Sequence, residues 1–294
     1  MQYRVDSLGV SGTVTTILRD LIHDRLGLMY ESHQFDQVAD RLAPLVIARG
    51  LSSFMDYYYL LKYSAEPQDW LAVIDALAVQ ETYFWREIDQ IRAVVTQVVP
   101  ALVDALRGRL LRIWSIPCAS GEEPLTIAML LDDEGWFSRA PIELIGSDAS
   151  PAAIERARLG RYGERSFRNL PLALREKYFT AGDGYSVVNP ELHRRVSYDV
   201  VNLMDADQMS RHAAASVVFC RNVFIYFSDH SIRRALSVLE QSMPSPAYLC
   251  VAAAESLLRR TTVFELQDIG GAFIYVKGAV PQLAATFPAA QRAS

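Results

Sequence analysis

The chain has 294 residues, 51% of them hydrophobic and 21% charged, with 29 basic side chains against 34 acidic ones. That apolar share excludes intrinsic disorder, and a formal charge of -5 with no basic arm in the first 110 residues argues against a nucleic-acid partner. No signal peptide opens the chain, no uncharged apolar run nears the ~18 residues of a membrane span, and Cys118, Cys220 and Cys250 lack metal-ligand spacing, so a cytoplasmic protein with buried thiols and no metal is expected.

Residues 13–100 read as an all-helical N-terminal domain. Ile17, Leu18, Leu21, Ile22 and Leu26 recur at steps of three and four and stop near Gly27. Phe35, Val38, Ala39, Leu42 and Leu45 repeat the period up to Gly50, with Pro44 expected to kink or split that helix. Ser53 is placed to cap a third helix through Tyr57 and Leu61, and Pro67 to start a fourth through Leu77. Three successive aromatics in Glu81-Thr82-Tyr83-Phe84-Trp85-Arg86-Glu87 are expected on a helix, one face packed on the neighbouring domain and Arg86 aimed into a cleft.

After Gly108 short apolar runs alternate with helical stretches: 110–116, 142–147, 196–201, 216–220 and 248–252. Such alternation predicts a doubly wound α/β domain over 108–284, a parallel sheet with helices on both faces. Ligands collect outside the carboxyl ends of such strands. Gly182, Gly184, Asn189 and Pro190 mark a small inserted antiparallel β-subdomain at about 178–201, and FPAAQRAS is expected to be a frayed tail.

At the first strand end, Ala119-Ser120-Gly121-Glu122-Glu123-Pro124 lacks both G-x-G-x-x-G and a phosphate-binding lysine. Two glutamates at a helix N-terminus disfavour a phosphate there and suit a cationic amine or a hydroxyl, although glutamate also favours a first turn for its own sake. Asp148 ends the second strand, where a carboxylate can accept both ribose hydroxyls or act as an ordinary helix cap. A nucleoside with a positive, phosphate-free end satisfies both sites, and S-adenosylmethionine is that molecule. Asn202 can meet an adenine edge or serve as a turn residue. After the fourth strand, Asn222 offers a hydrogen bond to a neutral ligand, and Tyr226 an aromatic face and a hydroxyl, with Phe227 a packing residue. Arg86 suits a carboxylate held in fixed orientation, or a structural clamp.

ETYFWRE, CASGEEP, GSD, VNL and CRNVFIYF, in this order and spacing, resemble the chemotaxis receptor methyltransferases of the CheR type, over nearly the whole chain. The resemblance implies a Rossmann-like S-adenosylmethionine-dependent methyltransferase domain behind an all-α docking domain, and methyl esterification of glutamates on the cytoplasmic helical bundle of chemoreceptors or a related signalling protein. Position by position it implies Gln80, Thr82, Arg86, Glu123, Asp148, Asn202, Leu203, Arg221 and Asn222 as cofactor-binding residues, with Arg86 and Tyr226 catalytic. Gln80 stands where the family commonly has Asn, Leu125 where Tyr is usual, and Ala252–Glu255 (AAAE) replaces GHSE. The arginine-rich second helix of well-known members is here DRLAPLVIARG, with only Arg41 and Arg49. Steering toward an acidic bundle should be weak, no C-terminal peptide tether is expected to be required, and the chain is expected to be a monomer.

A glutamate substrate is ionised at neutral pH, so the chemistry needs alignment and a dry cleft rather than a general base. Two other readings compete: a methyltransferase for a small-molecule carboxylate, and a protein that binds S-adenosylmethionine or S-adenosylhomocysteine to signal without catalysis.

Overall fold

The computed structural model describes Leu8 and residues 12–279. The FPAAQRAS tail and the end of the 108–284 span lie outside them. Four helices begin the chain: α1 (Gly12–Leu26), α2 (Phe35–Ala48), α3 (Phe54–Tyr59, continued by a wider turn over Leu60–Ser64) and α4 (Pro67–Leu77). Their apolar stripes close on one another through Leu18, Ile22, Phe35, Leu42, Val46, Phe54, Tyr57 and Val73. Ser53 caps α3 by accepting the Asp56 N–H, and Pro67 takes the first position of α4. Pro44 does not split α2, which runs unbroken to Ala48. Pro44 and Asp40, whose carbonyl loses its helical partner to the ring, both lie on the exposed side, where water can replace the missing bond.

The helical region does not pack as one body. Residues 81–87 form no helix. A single helical rod follows: α5 (Ile88–Ala93), a wide turn over Val94–Val98, and α6 (Val99–Leu106). Its buried face (Ile91, Val94, Val98, Leu102) joins Leu111, Ile113, Ile127 and Ile274 in the sheet core, not the core of the first four helices. Packing therefore divides the chain just after Leu77 rather than near residue 100.

The main sheet has seven strands in the order β6-β2-β1-β7-β8-β10-β9, with β1 Leu111–Ser115, β2 Ile142–Asp148, β6 Val196–Val200, β7 Val217–Phe219, β8 Ala247–Cys250, β9 Phe264–Ile269 and β10 Ala272–Lys277. The first five in that order are parallel, in register through Leu144↔Val196, Ile113↔Leu144, Ile113↔Val217 and Val218↔Leu249. The doubly wound α/β expectation holds for these five. The antiparallel β9–β10 hairpin that closes the sheet was not foreseen. One face is covered by the α5–α6 rod and α7 (Glu122–Asp133), the other by α13 (Asp229–Ser242). Short helices α8 (Trp136–Arg139), α9 (Pro151–Leu159), α10 (Leu172–Tyr178), α11 (Pro190–His193) and α12 (Ala206–Ser210) complete the connections.

The small subdomain is a three-stranded antiparallel sheet, β3 (Arg161–Tyr162), β5 (Ser186–Val188) and β4 (Phe179–Ala181), in the order β3-β5-β4. It begins earlier than the expected 178–201, because β3 joins it. It also ends earlier, because Val196–Val200 belongs to the main sheet beside β2.

Candidate functional site

An open cleft lies outside the carboxyl ends of β1, β2, β6 and β7, lined from the first helices as well as from the sheet. Thr82, Arg86, Glu123, Asp148, Asn202, Leu203, Arg221, Asn222 and Tyr226 all line it. Gln80 does not. Its amide donates to Ser150 Oγ (3.3 Å) and accepts from Arg156, so it ties the 80–87 segment to α9 instead of facing the cleft.

Gly121 makes the first corner. At φ 93° it adopts a backbone that side chains resist, and an added Cβ would meet Tyr198 Oη at 3.0 Å and Ala157 Cβ at 3.1 Å. The turn starts α7 so that its two glutamates diverge. Glu122 is buried, accepts from the Ser120 and Ser166 hydroxyls, and has its pKa pushed up by burial. Glu123 faces the cleft, accepting from Ser115 Oγ (2.8 Å) and Arg221 Nε (2.6 Å). Asp148 accepts the Ala119 and Ser150 N–H groups, each at 2.9 Å, while Ser150 caps α9. Asp148 is thus not itself the helix cap. Burial raises its pKa, with the two N–H bonds working the other way.

Arg221 is buried, and all its bonds are to protein. Besides Glu123, it donates to the Arg86 carbonyl (2.7 Å) and the Glu87 carbonyl (2.9 Å). It therefore joins the α7 carboxylate to the backbone that carries Arg86. That backbone is strained, since Trp85 and Glu87 both hold positive φ (69° and 47°). Phe84 anchors it, fully buried among Tyr162, Phe167 and Phe179 at ring separations of 4.8–5.2 Å. The sequence expectation of a helix here is overturned for this reason: a tight turn lets Phe84 go inward while Tyr83 and Arg86 reach the cleft, where Arg86 donates to the Glu81 carbonyl (2.9 Å).

Two carboxylates that sequence reasoning left without a role hold the far side. Glu255, buried, accepts N–H bonds from Asn222, Ala252 and Ile225, pinning the loops after β7 and β8 together. Glu87 accepts from Asn222 Nδ2 (3.2 Å) and the Ala253 N–H (3.3 Å). A lone glutamate in the apolar run after β8 was the available signal for Glu255. Asn202 donates to the Arg25 carbonyl (3.0 Å) and accepts from the Met204 N–H (2.9 Å), so it is both a turn residue and a bridge to α1. Tyr226 stands at the rim, its backbone carbonyl accepting the Met29 N–H, and Phe227 packs inward.

This donor set suits S-adenosylmethionine. Glu123 and Asp148 keep open lone pairs at two cleft positions, the wall between is apolar (Ile116, Pro117, Ala119, Val201, Leu203), and its arginines stand on the Thr82–Arg86 side and behind Glu123 rather than at the α7 N-terminus. Cys118 lines the cleft too, with burial pushing its thiol well above the ordinary range. Among the described residues no cluster of His, Cys, Asp and Glu could hold a metal ion, and no helix is long and apolar enough to cross a membrane.

Residues 16–78 match the family model "CheR methyltransferase, all-alpha domain" and residues 80–271 match "CheR methyltransferase, SAM binding domain". The chain is similar to chemotaxis protein methyltransferase 2 of Vibrio cholerae, 33% identical over 85% of this chain and 87% of that one. It is 32% identical to the chemotaxis protein methyltransferase of Escherichia coli, over 72% of this chain and 73% of the other. It is also 34% identical to the probable biofilm formation methyltransferase WspC of Pseudomonas putida over 92% of its length, but spans only 64% of that relative.

Proposed function

The chain belongs to the CheR methyltransferase family and is an S-adenosylmethionine-dependent methyltransferase, and from that premise we propose that it esterifies glutamate side chains on the cytoplasmic helical domain of a chemoreceptor or a related signalling receptor. The observation that carries this reading is the placement of Arg86 and Tyr226 in the same cleft as Glu123 and Asp148. A carboxylate-binding cation thus shares one chamber with two acidic cofactor ligands.

When bound, S-adenosylmethionine supplies a methyl group activated by its sulfonium. The chain's own residues do the rest. Asp148 and Glu123 accept hydrogen bonds from the ribose and from the amine end, with Thr82, Asn202, Leu203 and Asn222 completing the wall. Arg86 holds the substrate carboxylate through its planar fork. Tyr226 closes the rim and orients that carboxylate through its hydroxyl. Arg221 positions Arg86 and Glu123 without needing to touch either ligand. No group has to remove a proton, because a glutamate near its usual pKa of ~4.3 is already an anion. Removing water from the cleft strengthens the pairing of opposite charges within it.

The test is incubation with methyl-labelled S-adenosylmethionine and purified chemoreceptor cytoplasmic fragments. Label should enter the fragment and leave as methanol in mild base, as an ester does. Label found only on small carboxylic acids, or tight cofactor binding with no transfer, would replace this reading with one of the two alternatives raised from the sequence.

A further inference from the structure

Beside the carboxylate-lined wall, the mouth of the cleft carries a cationic shelf. The Tyr83 ring lies between two guanidiniums, Arg168 Cζ at 3.7 Å and Arg86 Cζ at 5.6 Å from its centroid. Arg168 also donates to Glu81 Oε1 at 2.6 Å. Its hydrogen bond and charge, followed by the charges of Arg165 and Arg86, hold the Glu81 carboxyl below its ordinary range. Arg168 pairs with the exposed Glu81 carboxylate while Arg86 bonds the Glu81 carbonyl and lies 4.0 Å from Glu87, so two cations and the Tyr83 ring are gathered at one edge of the cleft.

The shelf is built on a rigid support. The short turn Glu164–Phe167 is fixed to the Arg86 segment by the Phe84 N–H to Ser166 carbonyl bond (2.9 Å) and the Phe84–Phe167 contact (5.2 Å). Behind it, Ser166 Oγ donates to buried Glu122 (2.9 Å). The α2 arginines contrast with this. Arg41 donates to the Leu77 carbonyl, and Arg49 is paired with buried Asp69. Both are exposed but already bonded to groups of the bundle.

We propose that Tyr83 and Arg168 form the docking surface for an acidic helical segment of the protein substrate, one that brings a second carboxylate beside the glutamate held by Arg86. This rests on the proposed function above and names the feature of its substrate that the shelf selects. The incoming carboxylate exchanges with Glu81 on Arg168, so docking forms one charge-assisted pair as it releases another. Tyr83 keeps the Arg168 guanidinium flat and oriented toward the cleft mouth.

Opposite charge changes on the shelf give the test, read as methylation of a purified chemoreceptor cytoplasmic fragment. Arg168→Gln should raise KM for the fragment about 3- to 10-fold, the range of one partly exposed charged contact, with kcat and cofactor affinity unchanged. Glu81→Gln should lower KM, because the internal competitor is gone. Added salt should raise KM in the unaltered enzyme and do so less in Arg168→Gln. A merely structural role for the pair would move both variants the same way. Should the intact enzyme methylate the fragment while the two variants share its KM, this inference fails alone; should the intact enzyme methylate no fragment, the receptor reading fails and the occupant named here falls with it.

Discussion

Arg221→Met removes the link between the cofactor side of the cleft and the segment carrying Arg86, and its cost follows from the bonds lost. The arginine side chain is 1% exposed and makes three hydrogen bonds, while its partner Glu123 is 13% exposed. Methionine fills most of the volume and leaves Glu123 ionised, nearly buried and without its cation. Breaking one side of such a pair costs about 3–5 kcal/mol. The carbonyls of Arg86 and Glu87 lose their donor as well, which puts the total near the upper end of that range. Against a typical stability of about 5–15 kcal/mol this is a large fraction. Glu123→Gln keeps an amide oxygen for Arg221 but leaves that buried guanidinium without its counter-charge, so it should cost about 3 kcal/mol, the lower end of the same range. The double variant should cost less than the sum, since the second change breaks a bond already gone. Urea unfolding followed by tryptophan fluorescence, without cofactor, measures all three. A cost below about 1 kcal/mol for Arg221→Met, or strict additivity, would refute the view that this pair organises the cleft.

Arg86→Ala should lower kcat/KM for a receptor fragment by about 100-fold or more while the S-adenosylhomocysteine Kd, measured by calorimetry, shifts little; Arg86→Lys should recover only a small part, because a point charge cannot replace the fork. Burial raises the Asp148 pKa, so the folded chain holds that proton more tightly than the unfolded one. The stability contribution of Asp148 should therefore rise as pH falls from neutrality toward its ordinary 3.8, so Asp148→Asn should reduce the pH dependence of stability in urea titrations at pH 7 and 4, leaving the share of Glu122 and Glu255, whose pKa values burial also raises, and should weaken cofactor binding at both. Gly121→Ala should cost about 2–4 kcal/mol, from positive φ and the close Tyr198 and Ala157 contacts, and weaken S-adenosylhomocysteine binding by displacing Glu123; a thermal midpoint within a degree of the parent would contradict it.

The parallel part of the fold was readable because its inner strands β1, β2, β7 and β8 are largely apolar, buried runs bounded by turn residues, whereas the edge strand β6 (VSYDV) is mixed and mostly half-buried. The β9–β10 hairpin was missed although Gly270-Gly271, at φ 62° and 82°, is a hairpin signal; FELQDI is too polar to read as a strand until its position at the sheet edge is known. β3 is two residues long and has no pattern to read. At the site, residue type located the carboxylates but not their partners. The resemblance implies Arg221 as a cofactor contact, and packing adds what residue type does not show, its hydrogen bonds to Glu123 and two carbonyls. Gln80 lies two residues from Thr82, yet the turn at 81–87 sends it to Ser150 and Arg156.

Division of the chain after Leu77 changes what the helical bundle is for. The cleft wall includes Leu26, Leu28, Ile74 and Ala78, so the bundle closes one side of the chamber. It is held there by specific bonds. His23 meets Ser228 Oγ at 2.7 Å, Asp75 accepts from Ser150 Oγ and the Ala152 N–H, Asn202 donates to the Arg25 carbonyl, and Arg234 donates to the carbonyls of Asp24 and Met204. Several of these anchors adjoin cleft residues: Ser150 receives Asp75 two positions from Asp148, and Ser228 follows Tyr226 and Phe227. The α/β body supplies the polar groups and part of the apolar wall, and the bundle adds Leu26, Leu28, Ile74 and Ala78, so the chamber is complete only while the two are docked. Because Arg41 and Arg49, in and just after α2, are the few cations there and are already bonded to the Leu77 carbonyl and to Asp69, the bundle is better suited to enclosing the reaction than to attracting an acidic partner from a distance.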